Sequence, residues 1–282
     1  MVWREVTERD LTWMEDFLRV HMQSSMFFLS NLREYGLQGA EDRAMRIWAL
    51  EDGRKGLFAL SNGGMILMQA PEASEADWRA AAELCKGRAL IGCLGEGAQV
   101  AAFMPLAGLD QRKMSLNERE PGYRLDLGQM RVPDCSGFTL TPLDAQYRDL
   151  AIAWRSVYHG EVLGTPAEAC EEAATRDIDG CLERDSHRML LKDGVVVSMT
   201  GFNATLPDTV QIGGVYTPPE LRGQGLARRA VALHLIEARA KGVAHAILFA
   251  ANEAAARAYE AIGFERNGTF SLMLFHAEEE TA

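Results

Sequence analysis

The chain has 282 residues, 48% hydrophobic and 24% charged. That is enough apolar material for one large or two ordinary domain cores without disulfide staples, and too much for a disordered chain. Its 40 acidic residues outnumber 29 basic ones, giving a net charge of −11, which argues against a general nucleic-acid binder and weakly favours cationic over polyanionic substrates. The five cysteines, Cys85, Cys93, Cys135, Cys170 and Cys181, form no C-x-x-C pair. The opening MVWREVTERD has no apolar signal region, and no apolar run approaches the ~20 residues of a membrane helix. A reduced, cytoplasmic protein without metal, membrane or nucleic-acid partner is expected.

In chain order, Leu11–His21 and Ser25–Tyr35 read as helices. Arg46–Leu50, Gly56–Leu60 and Met65–Gln69 read as strands, with Asp52-Gly53 as a turn. A helix around Ala76–Leu84 ends at Lys86-Gly87; Ala89–Leu94 is a strand, followed by a helix through Phe103. Gly, Pro and polar residues cluster over Gly128–Gly137, which sets two expected domains, 1–130 and 131–282.

Beyond the break, Phe138–Leu140 reads as a strand and Pro142–Tyr158 as a helix, with Leu143, Tyr147, Leu150 and Trp154 on one stripe. The loop HGEVLGTP leads to a helix from about Glu168 to Leu182. Arg188–Leu191, Val195–Phe202 and Val210–Tyr216 form a meander closed by Pro218-Pro219. A Gly-rich entry opens a helix with Ala227, Val231, Leu235 and Ala238 on its apolar face, ending at Lys241-Gly242. Ala246–Ala250 is a strand. Asn252 starts a helix that Gly263 stops, and Thr269–Phe275 is the last strand.

The first half repeats this order in weaker form. Laid without gaps over His245–Tyr259, Ala89–Phe103 puts Glu96 in place of Asn252 and Phe103 in place of Tyr259. Upstream, the first copy is shorter by about the length of RGQGLA.

The sharpest signal is VYTPPELRGQGLA, residues 215–227. A strand ends, a glycine loop turns and a helix begins. That arrangement aims unpaired backbone N–H groups and the positive helix end at one point suited to a diphosphate. Gly223 and Gly225 let the backbone approach closely, Ala227 keeps the helix start open, and Arg222 adds a permanent charge. A plain glycine turn into a helix fits the GxG alone. A dinucleotide fingerprint fits poorly, because Arg228 stands at the third glycine position and the preceding strand belongs to a meander.

Arg222, Gly225 and Ala227 resemble the Gln/Arg-x-x-Gly-x-Gly/Ala acetyl-coenzyme A motif of the GCN5-related N-acetyltransferase (GNAT) family. The resemblance covers about residues 138–275 well and the first half in outline. It implies a mixed α/β acyl-CoA N-acyltransferase fold, a mostly antiparallel central sheet flanked by helices, in tandem, with a degenerate N-terminal GNAT-like copy. It also implies an acetyl-CoA site formed by Val215, Tyr216, Thr217, Arg222, Gly223, Gln224, Gly225, Leu226, Ala227, Asn252 and Tyr259. In that family's pattern, backbone groups of Val215 and Thr217 pair with pantetheine as an added strand, Asn252 bonds the pantetheine arm, and Tyr259 protonates the leaving thiolate. From the residues alone, Asn252 is also a helix cap and Tyr259 a packed aromatic.

The reaction implied is direct attack of a neutral amine on the thioester, with acetyl-CoA as acyl-donor substrate and no metal. The strand-end amide, that of Val215, is the expected oxyanion donor. Glu161, with His159 beside it, is the first candidate for the base; a solvated loop carboxylate is the alternative. Gln211 could position a water, while His187 and His245 read as structural. Between Glu161 and Asp185 lie eight acidic residues and two arginines, either an acceptor site for a cationic amine or a solvated face. The expected acceptor is a small-molecule or peptide amine, a cationic one among the candidates. A non-catalytic acetyl-CoA-binding sensor or scaffold is the alternative of a different class.

Overall fold

A computed structural model describes residues 2–50 and 56–276. In chain order its elements are β1 (Trp3–Glu5), α1 (Leu11–Val20), α2 (Met22–Tyr35), β2 (Met45–Leu50), β3 (Leu57–Ser61), β4 (Met65–Gln69), α3 (Glu75–Leu84), β5 (Gly92–Glu96), α4 (Gly97–Leu106) and β6 (Met114–Asp126). They continue with β7 (Phe138–Pro142), α5 (Arg148–Val162), α6 (Cys170–Glu183), β8 (His187–Lys192), β9 (Val195–Thr205), β10 (Thr209–Tyr216), α7 (Leu226–Ala240), β11 (His245–Phe249), α8 (Glu253–Glu260) and β12 (Glu265–Phe275). The chain forms two units, one of residues 1–121 with the segment from Gly268 onward, the other Gly122–Asn267.

The first unit orders its strands β1-β2-β3-β4-β5-β12, with only β4–β5 parallel. Its core packs Trp3, Phe58, Trp78 and Phe103. Phe103 is fully buried, with its ring centroid 5.3 Å from Phe58 and 5.9 Å from Trp78. The second unit orders its strands β7-β8-β9-β10-β11-β6, with only β10–β11 parallel. Helices α7 and α8 cover one face through Val231, Leu235 and Tyr259 against Val210, Ile212 and Leu248. Residues of α5 and α6 pack with Met189, Met199 and Tyr216.

The two strand orders match position for position, which is the repeat read in the sequence. They match only because the closing strands are exchanged. Gly122–Asp126 of β6 pairs with β11, while Phe270–Leu274 of β12 pairs with β5. The division therefore differs from the expected 130/131 boundary: the second unit begins at Gly122, and the last strand returns to the first unit. The Gly/Pro cluster lies inside the second unit because the segment before it, Tyr123–Leu127, already belongs to that unit's core.

Most expected elements are present within a few residues. The helix expected from Pro142 begins at Arg148, since Pro142 extends edge strand β7 opposite Arg188 and Asp144 accepts the Gln146 N–H at 2.9 Å. The same helix runs on through His159, Gly160 and Glu161 to Val162, so Glu161 sits on its last turn and not in a loop. Asp193 and Gly194 hold φ of 50° and 80° at the β8–β9 turn, the positive-φ pair of a tight hairpin. The Asp52-Gly53 turn lies outside the described residues. Among the described residues no helix is long and apolar enough to cross a membrane.

Candidate functional site

Strand β10 is eight residues long, yet it pairs with β11 only through Thr209, Val210 and Gln211. Beyond Gln211 its register against β9 slips twice, and Gly214 takes φ +62°. The bulge is built from small residues around two larger ones. A Cβ on Gly201 or Gly214 would collide with the His187 ring, and one on Gly213 with the Asn203 side chain. Strand end 212–216 thus diverges from β11 and offers an edge to an extended ligand.

Helix α7 starts directly beyond that edge. Its N-cap is Gly225 at φ +69°, preceded by Gly223 at +79°, both in the left-handed region that favours glycine. No side chain caps this helix and no acidic residue stands in its first turn, so its N–H groups and positive end remain available to an anion. Arg229 ties the loop in place, donating to the Gln224 carbonyl at 2.9 Å, the Gly225 carbonyl at 3.2 Å and the Asp134 carbonyl at 2.8 Å. Arg228 Nε is buried without a protein partner and would lie 2.8 Å from a Cβ on Gly225. In the sequence Arg228 marks only a departure from a dinucleotide motif; in the structure its guanidinium is a second cation facing this loop. Spacing could have suggested it, since it lies one turn from Gly225. Leu226 is buried with Leu190, Val197 and Ala230, and Ala227 is partly exposed at the helix start.

The matching positions of the first unit are sealed. β4 pairs with β5 from Met65 to Met68, and the Ala70 amide two residues on donates to Gln99 Oε1 at 2.6 Å. Helix α3 is closed by Ser74 and Asp77, which cap each other's backbone, and its first turn carries Glu75 and Asp77. A diphosphate there would meet two carboxylates.

On the far side of β11, Asn252 accepts the Ala255 N–H at 2.9 Å and caps α8, as Glu96 caps α4 through the amides of Ala98 and Gln99. Tyr259 is 8% exposed and packs edge-on against Phe264 at 6.0 Å. Around β10's exit, Ser198 Oγ donates to the Tyr216 carbonyl at 2.8 Å and lies 2.9 Å from Thr217 Oγ1. Gln211 donates from Nε2 to the Ile212 carbonyl at 2.8 Å, and its buried Oε1 has no protein partner.

Glu161 is drawn to the glycine loop: its carboxylate accepts from Arg222 at 3.0 Å, while Arg222 Nε donates to the Thr217 carbonyl at 3.0 Å. His159 is buried, with Nδ1 3.0 Å from Thr165 Oγ1 and Nε2 3.1 Å from Asp177. Burial raises the Asp177 carboxyl, but the hydrogen bond to His159 and the charge of Arg155 outweigh it and hold it near about 2. His187 is almost wholly buried and pushed down to about 3, first by burial and then by Arg155 and Arg184. His245 is exposed at the start of β11. Much of the acidic run is committed to ion pairs, Asp177 with Arg155, Asp179 with Arg148, Asp185 with Arg188 and Glu172 with Arg176.

Residues 151–264 match the model of the Acetyltransferase (GNAT) family. That match lies wholly within the second unit, Gly122–Asn267. A tandem GNAT protein from the clavulanic acid biosynthesis pathway is 16% identical, with 99% of each chain covered and a TM-score of 0.57. A GNAT-family acetyltransferase from Colwellia psychrerythraea is 14% identical, covering 98% of this chain and 100% of its own, with a TM-score of 0.58. A GCN5-related N-acetyltransferase from Kribbella flavida is 17% identical, covering 89% and 96%, with a TM-score of 0.58. At these identities the likeness is one of fold, and that fold is the tandem one. No curated protein matches the chain.

Proposed function

We propose that this protein is an acetyl-CoA-dependent N-acetyltransferase, with one coenzyme A site per chain, moving the acetyl group directly to an amine of a small molecule or peptide. One observation carries the reading. The unpaired edge of β10 beyond Gln211 leads straight into an uncapped helix start flanked by arginines, while the repeat's equivalent edge and helix start are closed.

The fit follows the chain. The amides at the start of α7, with Arg222 and Arg228, suit a diphosphate; Gly223, Gln224 and Gly225 form its backbone cradle. Val215 and Thr217 offer backbone groups to pantetheine. Asn252 commits Oδ1 to its cap, leaving Nδ2 as the donor toward a pantetheine carbonyl. Acetyl-CoA supplies an activated thioester carbonyl and a thiolate leaving group. The Val215 N–H, at the bulge, donates to the carbonyl oxygen as negative charge develops there. Tyr259 O–H gives its proton to the departing sulfur. Gln211 Oε1 accepts an N–H of the amine or an O–H of a relaying water, through which the ammonium proton leaves. Glu161 serves the acceptor side.

Calorimetry with acetyl-CoA should give a stoichiometry near one per chain. Thiol release should appear with at least one member of a panel of polyamines, amino acids, aminoglycosides and peptides. Two equivalent sites, or none, would overturn the site assignment; binding with no release on any amine would favour a sensor.

A further inference from the structure

Arg222 stands at a meeting point of three segments. It donates to Thr217 at the exit of β10, and to Glu161 on the last turn of α5, each at 3.0 Å. Its guanidinium carbon lies 5.9 Å from the centre of the Tyr216 ring, which packs 5.5 Å from Trp154. Burial first, then the charge of Glu161, pushes the Tyr216 phenol upward. A cation set between a carboxylate and an aromatic face is how proteins hold ammonium and guanidinium ligands. Here the cation is the protein's own.

The hold is weak enough to exchange. The Arg222 and Glu161 side chains are 50% and 46% exposed, and water screens such pairs strongly. A diphosphate at the start of α7, four residues from Arg222, offers more oxygens and more charge than one carboxylate. Resting on the coenzyme A site proposed above, we infer that Glu161 and the diphosphate compete for Arg222, and that Arg222, on turning to the diphosphate, vacates a cation site formed by the Glu161 carboxylate and the Tyr216 ring. That site takes a cationic group of the acceptor. Acetyl-CoA and the acceptor then promote each other's binding, and the acceptor class is an amine carrying positive charge. Glu161 is on this account a positioning residue that couples the two ligands.

Two titrations test this. Glu161→Gln removes the competitor, so coenzyme A should bind this variant about 2- to 5-fold more tightly than wild type. Damage to the fold would weaken binding, so a gain in affinity is specific to the proposal. Unchanged or weaker affinity overturns it. Spermidine, titrated with and without saturating coenzyme A, should bind wild type more tightly when coenzyme A is present, and this enhancement should vanish in Glu161→Gln. Equal spermidine affinity in both wild-type titrations overturns the cation site. If wild type itself fails to bind coenzyme A, the functional reading fails instead.

Discussion

Gly225→Glu tests the anion-binding role proposed for the α7 start. Gly225 holds φ +69°, where any residue with a Cβ costs about 1–2 kcal/mol. The new Cβ would meet Arg228 Nε at 2.8 Å and Arg229 Nη1 at 3.1 Å. Both are ends of flexible side chains that can swing aside, so strain stays near that figure. Gly225→Ala should therefore lower stability by about 1–2 kcal/mol, or about 2–8 °C in melting temperature for a unit of this size. Gly225→Glu adds a carboxylate in the space proposed for the diphosphate. Two like charges about 4 Å apart repel by about 4 kcal/mol near a protein surface, which corresponds to roughly a thousand-fold loss in coenzyme A affinity. Calorimetry on both variants, with thermal melts to show that each is folded, separates strain from charge. The alanine variant should lose at most about ten-fold in affinity, the scale of the helix-end interaction. A folded Gly225→Glu that binds coenzyme A as wild type does would show that the anion does not sit at this helix.

Tyr259→Phe should leave coenzyme A affinity nearly unchanged, because the ring and its contact with Phe264 remain, and should slow turnover by ~10²–10⁴-fold. A wild-type rate on an accepted amine would remove Tyr259 as the acid. Stability should fall with acid before most carboxylates titrate. Burial holds both His187 and His234 neutral down to about 3, whereas unfolded histidine protonates near 6.5. Their contribution is complete above about pH 6.5 and is lost as pH falls toward 3, with a slope approaching about 2.7 kcal/mol per pH unit for the two together. His234 stacks on Phe202 at 3.7 Å, so His234→Phe keeps the stack and should reduce that slope by about half in urea melts between pH 6 and 5. An unchanged slope would mean that His234 takes up its proton in the folded state.

What could be read from the residues was whatever is decided locally. The 215–227 string, the Asn252 cap and the Gly242 stop each depend on neighbours within a few positions, and each is where it was expected. Gly160 misled because glycine lowers helix propensity; the helix continues past it, with Cys170 Sγ 3.8 Å from where its Cβ would be. Glu161 consequently moved from loop to helix. Its partner, Arg222, is 61 residues away, and no local pattern announces such a pair. Strand β6 was missed altogether. Its sequence, MSLNEREPGYRLD, carries five charges and a proline and shows no sustained alternation. The short β1 was missed because three residues make no pattern.

The missed strand decides where the chain can be cut. An isolated 131–282 chain is what the Gly/Pro cluster recommends. It would lack Gly122–Asp126, which pairs along β11, and with it Tyr123 and Leu125, as well as Leu127 just beyond, exposed 4%, 3% and 0%. Losing the burial of each such side chain costs about 1.5–3 kcal/mol, together about 5–9, against a total stability of about 5–15 kcal/mol for a domain. It would also keep Phe270–Leu274, whose ladder partner β5 is gone, leaving two unpaired strand edges prone to association. A chain of residues 122–267 keeps β6's pairing segment and drops that orphan. Circular dichroism melts and limited proteolysis should find 122–267 cooperatively folded, and 131–282 unfolded or aggregated. The exchange of closing strands then explains the boundary: the copies are equivalent in sheet order, but neither is a contiguous stretch of sequence. A cooperative melt and intact coenzyme A binding from 131–282 would refute this, because they would mean that the second unit closes its sheet without β6.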